Sequence, residues 1–209
     1  MFCIFLSIII FITDWKELEK RDFEKEGLNH PPDSFSFVPT HNQPKEWQVV
    51  QDGDNRVLSR RHANDKEGEV SLAVTEKAKL LDVFVSARIK ALDGKGDKNG
   101  GLIWRYKDSK NYLLARLDIA DKRVRLYRVV NGNRVKFGEE SNLRVAAGMW
   151  YTLRVEHRSD KIKVYLDDEA LIIEKDTHFR KAGRVGLYAN EDSESYFDDF
   201  EVRSTGEKK

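Results

Sequence analysis

The chain is 209 residues long and its charge is almost balanced, with 37 Lys and Arg against 36 Asp and Glu for a net of +1. Such a balance removes the electrostatic case for nucleic acid, whose phosphates are normally met by a clearly basic face. An apolar content of 40%, an aromatic content of 11% and only four prolines exclude disorder, leaving one sizeable folded domain or two small ones.

Residues 1–13 (MFCIFLSIIIFIT) form an uninterrupted apolar run that holds the only cysteine, Cys3. The run is too short to span a bilayer unaided and matches the apolar core of a signal peptide, although no Lys or Arg precedes it and no small-x-small cleavage site follows it. It reads as a signal peptide or hydrophobic anchor, which places the protein outside the cytoplasm and allows membrane contact only through this segment if it stays uncleaved. A misassigned start is the alternative. Beyond it there is no thiol, so disulfides, Cys-based zinc sites and Cys nucleophiles drop out. Residues 14–34 form a charged N-terminal connector, in which DWKELEKRDFEK predicts a short solvated helix.

From Phe35 to about residue 203 the pattern changes to short segments of period two, separated by turn residues every eight to twelve positions, as expected of an all-β sandwich. Val83, Val85, Ala87 and Ile89 alternate with Phe84, Ser86, Arg88 and Lys90. Leu113, Ala115 and Leu117 oppose Tyr112, Leu114 and Arg116; Leu153 and Val155 oppose Thr152, Arg154 and Glu156. Ile162, Val164 and Leu166, and then Val185 and Leu187, continue the series. Each strand is therefore expected to have one core face and one polar face. Asn131-Gly132 predicts a tight hairpin between strands at 123–130 and 134–138, since both central residues of that turn need positive φ. Roughly a dozen or more candidate strands are too many for one open sheet, so two stacked antiparallel sheets are expected, ending in a polar tail at 204–209. An exposed edge strand is a candidate for cover by the segment Asp14 to His30 or by a second copy.

Several runs resemble the bacterial concanavalin-A-like lectin/glucanase superfamily: Gly100 to Arg116 (GGLIWRYKDSKNYLLAR), Val124 to Gly132, Val145 to Asp160 (VAAGMWYTLRVEHRSD), Ile162 to Asp168 and Ala182 to Val202 (AGRVGLYANEDSESYFDDFEV). Within it the chain is most similar to the 3-keto-disaccharide hydrolase domains and their laminin-G-like relatives. The resemblance implies a jelly-roll sandwich whose concave face holds glycans. It also implies hydrolysis of 3-keto-glycosides, or a protein-interaction or spacer role, as alternatives, because one fold hosts all three.

The glucanases of this superfamily carry E-x-D-x-E on one strand, and no such segment occurs here. Glu191-Asp192-Ser193-Glu194 and Asp167-Asp168-Glu169 read as loop and hairpin tip. Glu156 is the one acid that the alternation puts in mid-strand on a polar face, which makes it the candidate catalytic acid of the hydrolase alternative, while pairing with Arg154 explains it without catalysis. His30, His41, His62, His157 and His178 show no metal spacing. The loop Asp93 to Gly101 mimics part of an EF-hand, but Lys95 falls at the first ligand position. No cofactor is expected; the resemblance leaves open a structural calcium on loop acids such as Asp198 or Asp199.

Arginine combined with aromatics is the remaining signal. Arg88, Arg105, Arg116 and Arg154 occupy mid-strand positions, with Tyr112, Trp104 and Tyr188 nearby in the pattern. On a concave face a guanidinium fork can hydrogen-bond sugar hydroxyls or a carboxylate while a ring stacks on a pyranose. Arg88, Arg105, Tyr112, Arg116, Arg154 and Tyr188 are thus the expected ligand-binding set, and a carbohydrate, oligosaccharide or polysaccharide the expected partner. A charged ladder of these arginines with Glu156 and Asp118 is the alternative, and whether Arg105 shares a face with Arg116 depends on register. Trp150 is expected to anchor the core at a strand start. Gly183 and Gly186 are expected where chains approach closely or a bulge occurs.

Overall fold

The computed structural model describes residues 15–39, 47–60, 70–77, 79–92, 98–190 and 194–205. The apolar run 1–13 with Cys3, most of the Asp93 to Gly101 loop, Glu191-Asp192-Ser193 and the last residues of the polar tail lie outside them.

The described residues form fifteen strands in two antiparallel sheets. One, sheet A, runs in the order β13 (Glu169–Lys175), β12 (Lys161–Leu166), β11 (Tyr151–Arg158), β6 (Val83–Ala91), β15 (Ser195–Ser204), β4 (Asn55–Arg60) and β3 (Trp47–Asp52), with β1 (Lys16–Arg21) added on β15. Sheet B runs β10 (Asn133–Ser141), β9 (Arg123–Val130), β8 (Asn111–Asp118), β7 (Asn99–Asp108), β14 (Arg184–Asn190), β5 (Val70–Thr75) and β2 (Phe35–Pro39). Asn131 and Gly132 have φ of 51° and 84°, and they join β9 to β10 by the hairpin that their identity predicts.

Alternation decides what faces inward. Val83, Val85, Ala87 and Ile89 of sheet A meet Leu113, Ala115, Leu117, Val185 and Leu187 of sheet B in one continuous core, to which Leu153, Val155, Ile162 and Val164 also belong. Trp47 closes it at one side, its Nε1 donating to Ser71 Oγ at 2.6 Å and its ring 5.4 Å from that of Phe197. Trp104 Nε1 of sheet B donates to His157 Nδ1 of sheet A at 2.9 Å, a hydrogen bond made inside the core.

Three expectations are corrected. The charged segment after Asp14 is not a helix: Lys16–Arg21 is a strand whose partner is the second half of β15, from Phe200 to Ser204. It is no loose connector either, because Glu19 is buried and accepts from Thr75 Oγ1 of sheet B at 2.6 Å, while Phe23 enters the core. The segment thus caps part of an otherwise open edge, the first of the two covers considered for it.

Trp150 lies outside the core. Leu153 and Val155 face inward, so even positions of this strand face outward, and Trp150 rests half-buried under Arg88 and Lys90, 4.8 and 5.3 Å from its ring centroid.

Nor does every strand have a polar second face. Leu72, Val74, Ile103, Tyr106, Tyr112, Leu114, Val129 and Tyr188 form a second buried apolar cluster, and all belong to the outer face of sheet B. The central strands of that sheet carry apolar or aromatic residues at both parities, which alternation alone reads as one face.

Candidate functional site

The outer face of sheet B is laid out by register. Across its middle, Leu72, Tyr188, Gly101, Arg116 and Arg125 are successive cross-strand neighbours from β5 to β9, and Glu139 of β10 follows. One step along the strands the row reads Val74, Gly186, Ile103, Leu114, Tyr127 and Lys136. In the next, Tyr112 pairs with Val129, and Val129 with Arg134. Two glycines, Gly101 and Gly186, stand in the central strands of this face, each closely approached by neighbouring backbone. Gly101 separates Tyr188 from Arg116 without a side chain, so the Tyr188 hydroxyl reaches the Arg116 guanidinium and also bonds Asn190.

Above this floor lie half-buried and exposed groups. Arg116 is 5.8 Å and Arg134 is 5.6 Å from the ring centroid of Tyr127, and Arg134 is 5.7 Å from that of Tyr188. Arg134 is exposed and Tyr127 half-buried, so a ligand can reach both. Arg116 is fixed from behind: its Nε and Nη2 donate to the two oxygens of Asp118 at 3.0 and 2.9 Å. Asp118 also accepts from Arg125 at 2.8 Å, and Arg125 in turn holds Asp121 and Glu139 at 2.7 and 3.0 Å. Burial pushes the Asp118 carboxyl above its usual range against the pull of both arginines. Burial likewise raises the Tyr112 and Tyr188 phenols, which stay neutral hydrogen-bonding groups.

Of the six residues expected to bind ligand, this face brings together Tyr112, Arg116 and Tyr188. Arg88 and Arg154 lie on the outer face of sheet A. There Arg88 Nη1 is 3.4 Å from Asp199 and 3.7 Å from Asp198, while Arg154 pairs with Asp168 at 2.7 Å and lies 4.1 Å from the centre of the Tyr165 ring. Glu156 is on that side too, with Arg154 Nε at 3.7 Å and the Tyr165 hydroxyl at 3.4 Å. Asp198 is buried and accepts from Asn55 Nδ2 at 2.8 Å; among the described residues no group of three or more His, Cys, Asp or Glu side chains is arranged to hold a metal.

Arg105 belongs to neither face. It has φ of 50° in a bulge of β7, which reverses the parity so that Ile103 and Tyr106 both face outward and Arg105 turns into the end of the sandwich. The close approach expected at Gly183 occurs here: a Cβ on Gly183 would lie 2.3 Å from the Arg105 carbonyl carbon. The expectation for Gly186 also holds, as its Cβ would lie 2.1 Å from the Ala73 oxygen.

Tyr127, Arg134 and Arg125 were not singled out by the strand pattern. A signal for them existed, because the Asn131-Gly132 turn sets Val129 opposite Arg134, and parity then puts Tyr127 and Arg125 on the side of Val129. Beside this face, at the end of sheet B, a cleft of about 840 Å³ is lined by Tyr106, Arg105, Lys107, Arg184 and the segment 178–182. Tyr106 belongs to both, its ring 6.1 Å from that of Tyr112.

Two facing antiparallel sheets in this order make the fold a concanavalin-A-like jelly-roll sandwich. No family model matches the chain. A stretch of 115 residues, 54% of the chain, is 30% identical to a levanase of Bacillus subtilis, and it spans 17% of that enzyme's length. Among solved structures, the carbohydrate-binding module CBM66 of Bacillus subtilis superposes with a TM-score of 0.64 over 82% of this chain and 98% of that one, at 23% identity. The endo-β-1,3-glucanase of Pyrococcus furiosus does so with a TM-score of 0.62 over 91% and 94%, at 14% identity. At these identities the likeness is one of fold.

Proposed function

We propose that the protein is a non-catalytic glycan-recognition domain that holds saccharide on the outer face of sheet B. The observation that carries this reading is the grouping of Tyr127 and Arg134 over the buried pair Tyr188 and Arg116. The half-buried Tyr127 ring offers flat apolar surface to the C–H face of a sugar, and the exposed Arg134 guanidinium offers paired donors to its hydroxyls. The network through Asp118 and Arg125 keeps Arg116 in place before ligand arrives, which lowers the ordering cost of binding.

The likenesses support the same direction. One matched structure is named as a carbohydrate-binding module and one matched enzyme as a levanase, so levan is the first neutral polysaccharide to try. The glycosidase reading has less support, since Glu156 sits on the outer face of sheet A, tied to Arg154 and Tyr165. A location outside the cytoplasm rests on the apolar run 1–13.

Affinity electrophoresis of the full chain through gels containing levan, β-glucans or acidic polysaccharides tests the proposal. Retardation by at least one polysaccharide, lost in Arg134→Ala and Tyr127→Ala without release of reducing sugar, is the expected result. Free migration of the folded wild type through all of them would refute it.

A further inference from the structure

The cleft at the end of sheet B is rich in unspent positive charge. Among the described residues, Lys79, Arg105, Lys107, Arg180, Lys181 and Arg184 line it against a single carboxylate, Glu76, which accepts a hydrogen bond from Ser36 Oγ. In a chain whose net charge is +1, this is a marked local concentration. Among the described residues Lys79, Lys107, Lys181 and Arg184 enter no ion pair. The Arg184 guanidinium carbon lies over the Tyr106 ring, 5.2 Å from its centroid, and among the described residues the guanidinium N–H groups make no hydrogen bond.

The wall behind these groups is tied together by hydrogen bonds. Asp176 is buried; it accepts from Arg128 Nε and, at 2.8 Å, from the Phe179 amide, while the Phe179 carbonyl accepts from Arg105 Nη1. Arg105 itself is 2% exposed, and among the described residues its Nε and Nη2 have no hydrogen-bond partner. Two empty donors on a buried cation are costly, and an anion brought against this wall would interact with that charge through poorly screening surroundings. Asp82 and Asp176 act on Arg105 only at a distance that leaves those donors unfilled.

We propose that this cleft binds an oxyanion carried by a saccharide, the carboxylate of a uronic acid or a sulfate ester, so that the glycan lying on sheet B is an acidic one. The saccharide rests on the reading given above; the anion rests on the cleft alone. Tyr106 borders both surfaces, so a glycan held at Tyr127 and Arg134 and running toward the cleft can set one residue's acidic group among Lys107, Arg180 and Arg184. A guanidinium meets carboxylate or sulfate through two parallel N–H bonds, whereas a neutral sugar leaves so many cations uncompensated.

Isothermal titration of the full chain with oligogalacturonate, with a sulfated oligosaccharide of similar length and with a neutral levan oligosaccharide tests this. The double variant Lys107→Ala/Arg184→Ala, whose sites are respectively exposed and half-buried, is compared with Arg134→Ala on the sheet. One acidic oligomer is expected to bind, with affinity that falls as salt rises from 50 to 300 mM; the double variant should weaken it at least about tenfold and flatten the salt dependence. Preference for the uronate or for the sulfated chain identifies which oxyanion is bound. Neutral and acidic oligomers binding alike, with no effect of the double variant but loss in Arg134→Ala, would overturn the acidic-ligand proposal and leave the glycan reading standing. Failure of every oligomer to bind folded wild type would overturn both. Arg180→Ala/Lys181→Ala provides a second cleft variant if the first melts early.

Discussion

Tyr188 and Arg116, two strands apart in sheet B, touch each other across Gly101. The residue between them on β7 has no side chain. A Cβ at Gly101 would lie 2.5 Å from the Ala115 carbonyl oxygen and 3.3 Å from the Arg116 Cα, so Gly101→Ala must move the β8 backbone. The expected cost is about 1–3 kcal/mol in urea denaturation, accompanied by weaker glycan binding.

Asp118 gives a sharper case. Its side chain is 7% exposed and satisfies both Arg116 and Arg125. Removing one partner of a buried pair strands the other charge, so Asp118→Ala is expected to lose about 3 kcal/mol. Asp118→Asn, which keeps an acceptor, should lose less. Equal stability of wild type and the alanine variant in urea would contradict the role given to this network.

His157 makes stability depend on pH. Burial lowers its pKa from 6.5 to about 4, with the nearby Arg105 charge acting in the same direction. Because Nδ1 accepts from Trp104, the neutral ring carries its proton on Nε2. Between pH 6.5 and 4 the unfolded chain binds a proton that the native state refuses, so this contribution is complete above pH 6.5 and is lost as pH falls toward 4. The total is roughly 3 kcal/mol. In a series of melts over this range, His157→Asn should show a shallower slope than wild type.

The outer face of sheet A should behave as a solvated ladder. Arg154 pairs with Asp168, whose side chain is 85% exposed, and such pairs contribute less than about 1 kcal/mol. Arg88→Ala and Arg154→Ala are expected to leave glycan binding unchanged, and Arg154→Ala to shift the melting temperature little. Loss of binding in either would move the site to the opposite side of the sandwich.

Much of this fold was legible in the residues. Leu113, Ala115 and Leu117 specify which side of β8 is inside, and Asn131-Gly132 specifies the β9–β10 hairpin, because period and turn chemistry are local. The site was legible in part. Tyr112, Arg116 and Tyr188 share a face by simple parity. Arg105 does not, because its bulge breaks the parity that strand counting assumes, and a bulge depends on the approach of Gly183 from a distant part of the chain. Lys16–Arg21 is a strand and not a helix for a related reason. A short charged segment has no local preference strong enough to decide, and here the free edge of β15 decides for it.

The most direct test of the account is a heteronuclear NMR titration of isotope-labelled full chain with a polysaccharide fragment that retards it in gels. Saccharide held on the outer face of sheet B predicts shifts concentrated at Tyr112, Arg116, Tyr127, Arg134 and Tyr188, with Arg88, Arg154 and Glu156 unmoved. Shifts confined to the sheet A residues, with Arg134 and Tyr127 silent, would contradict it.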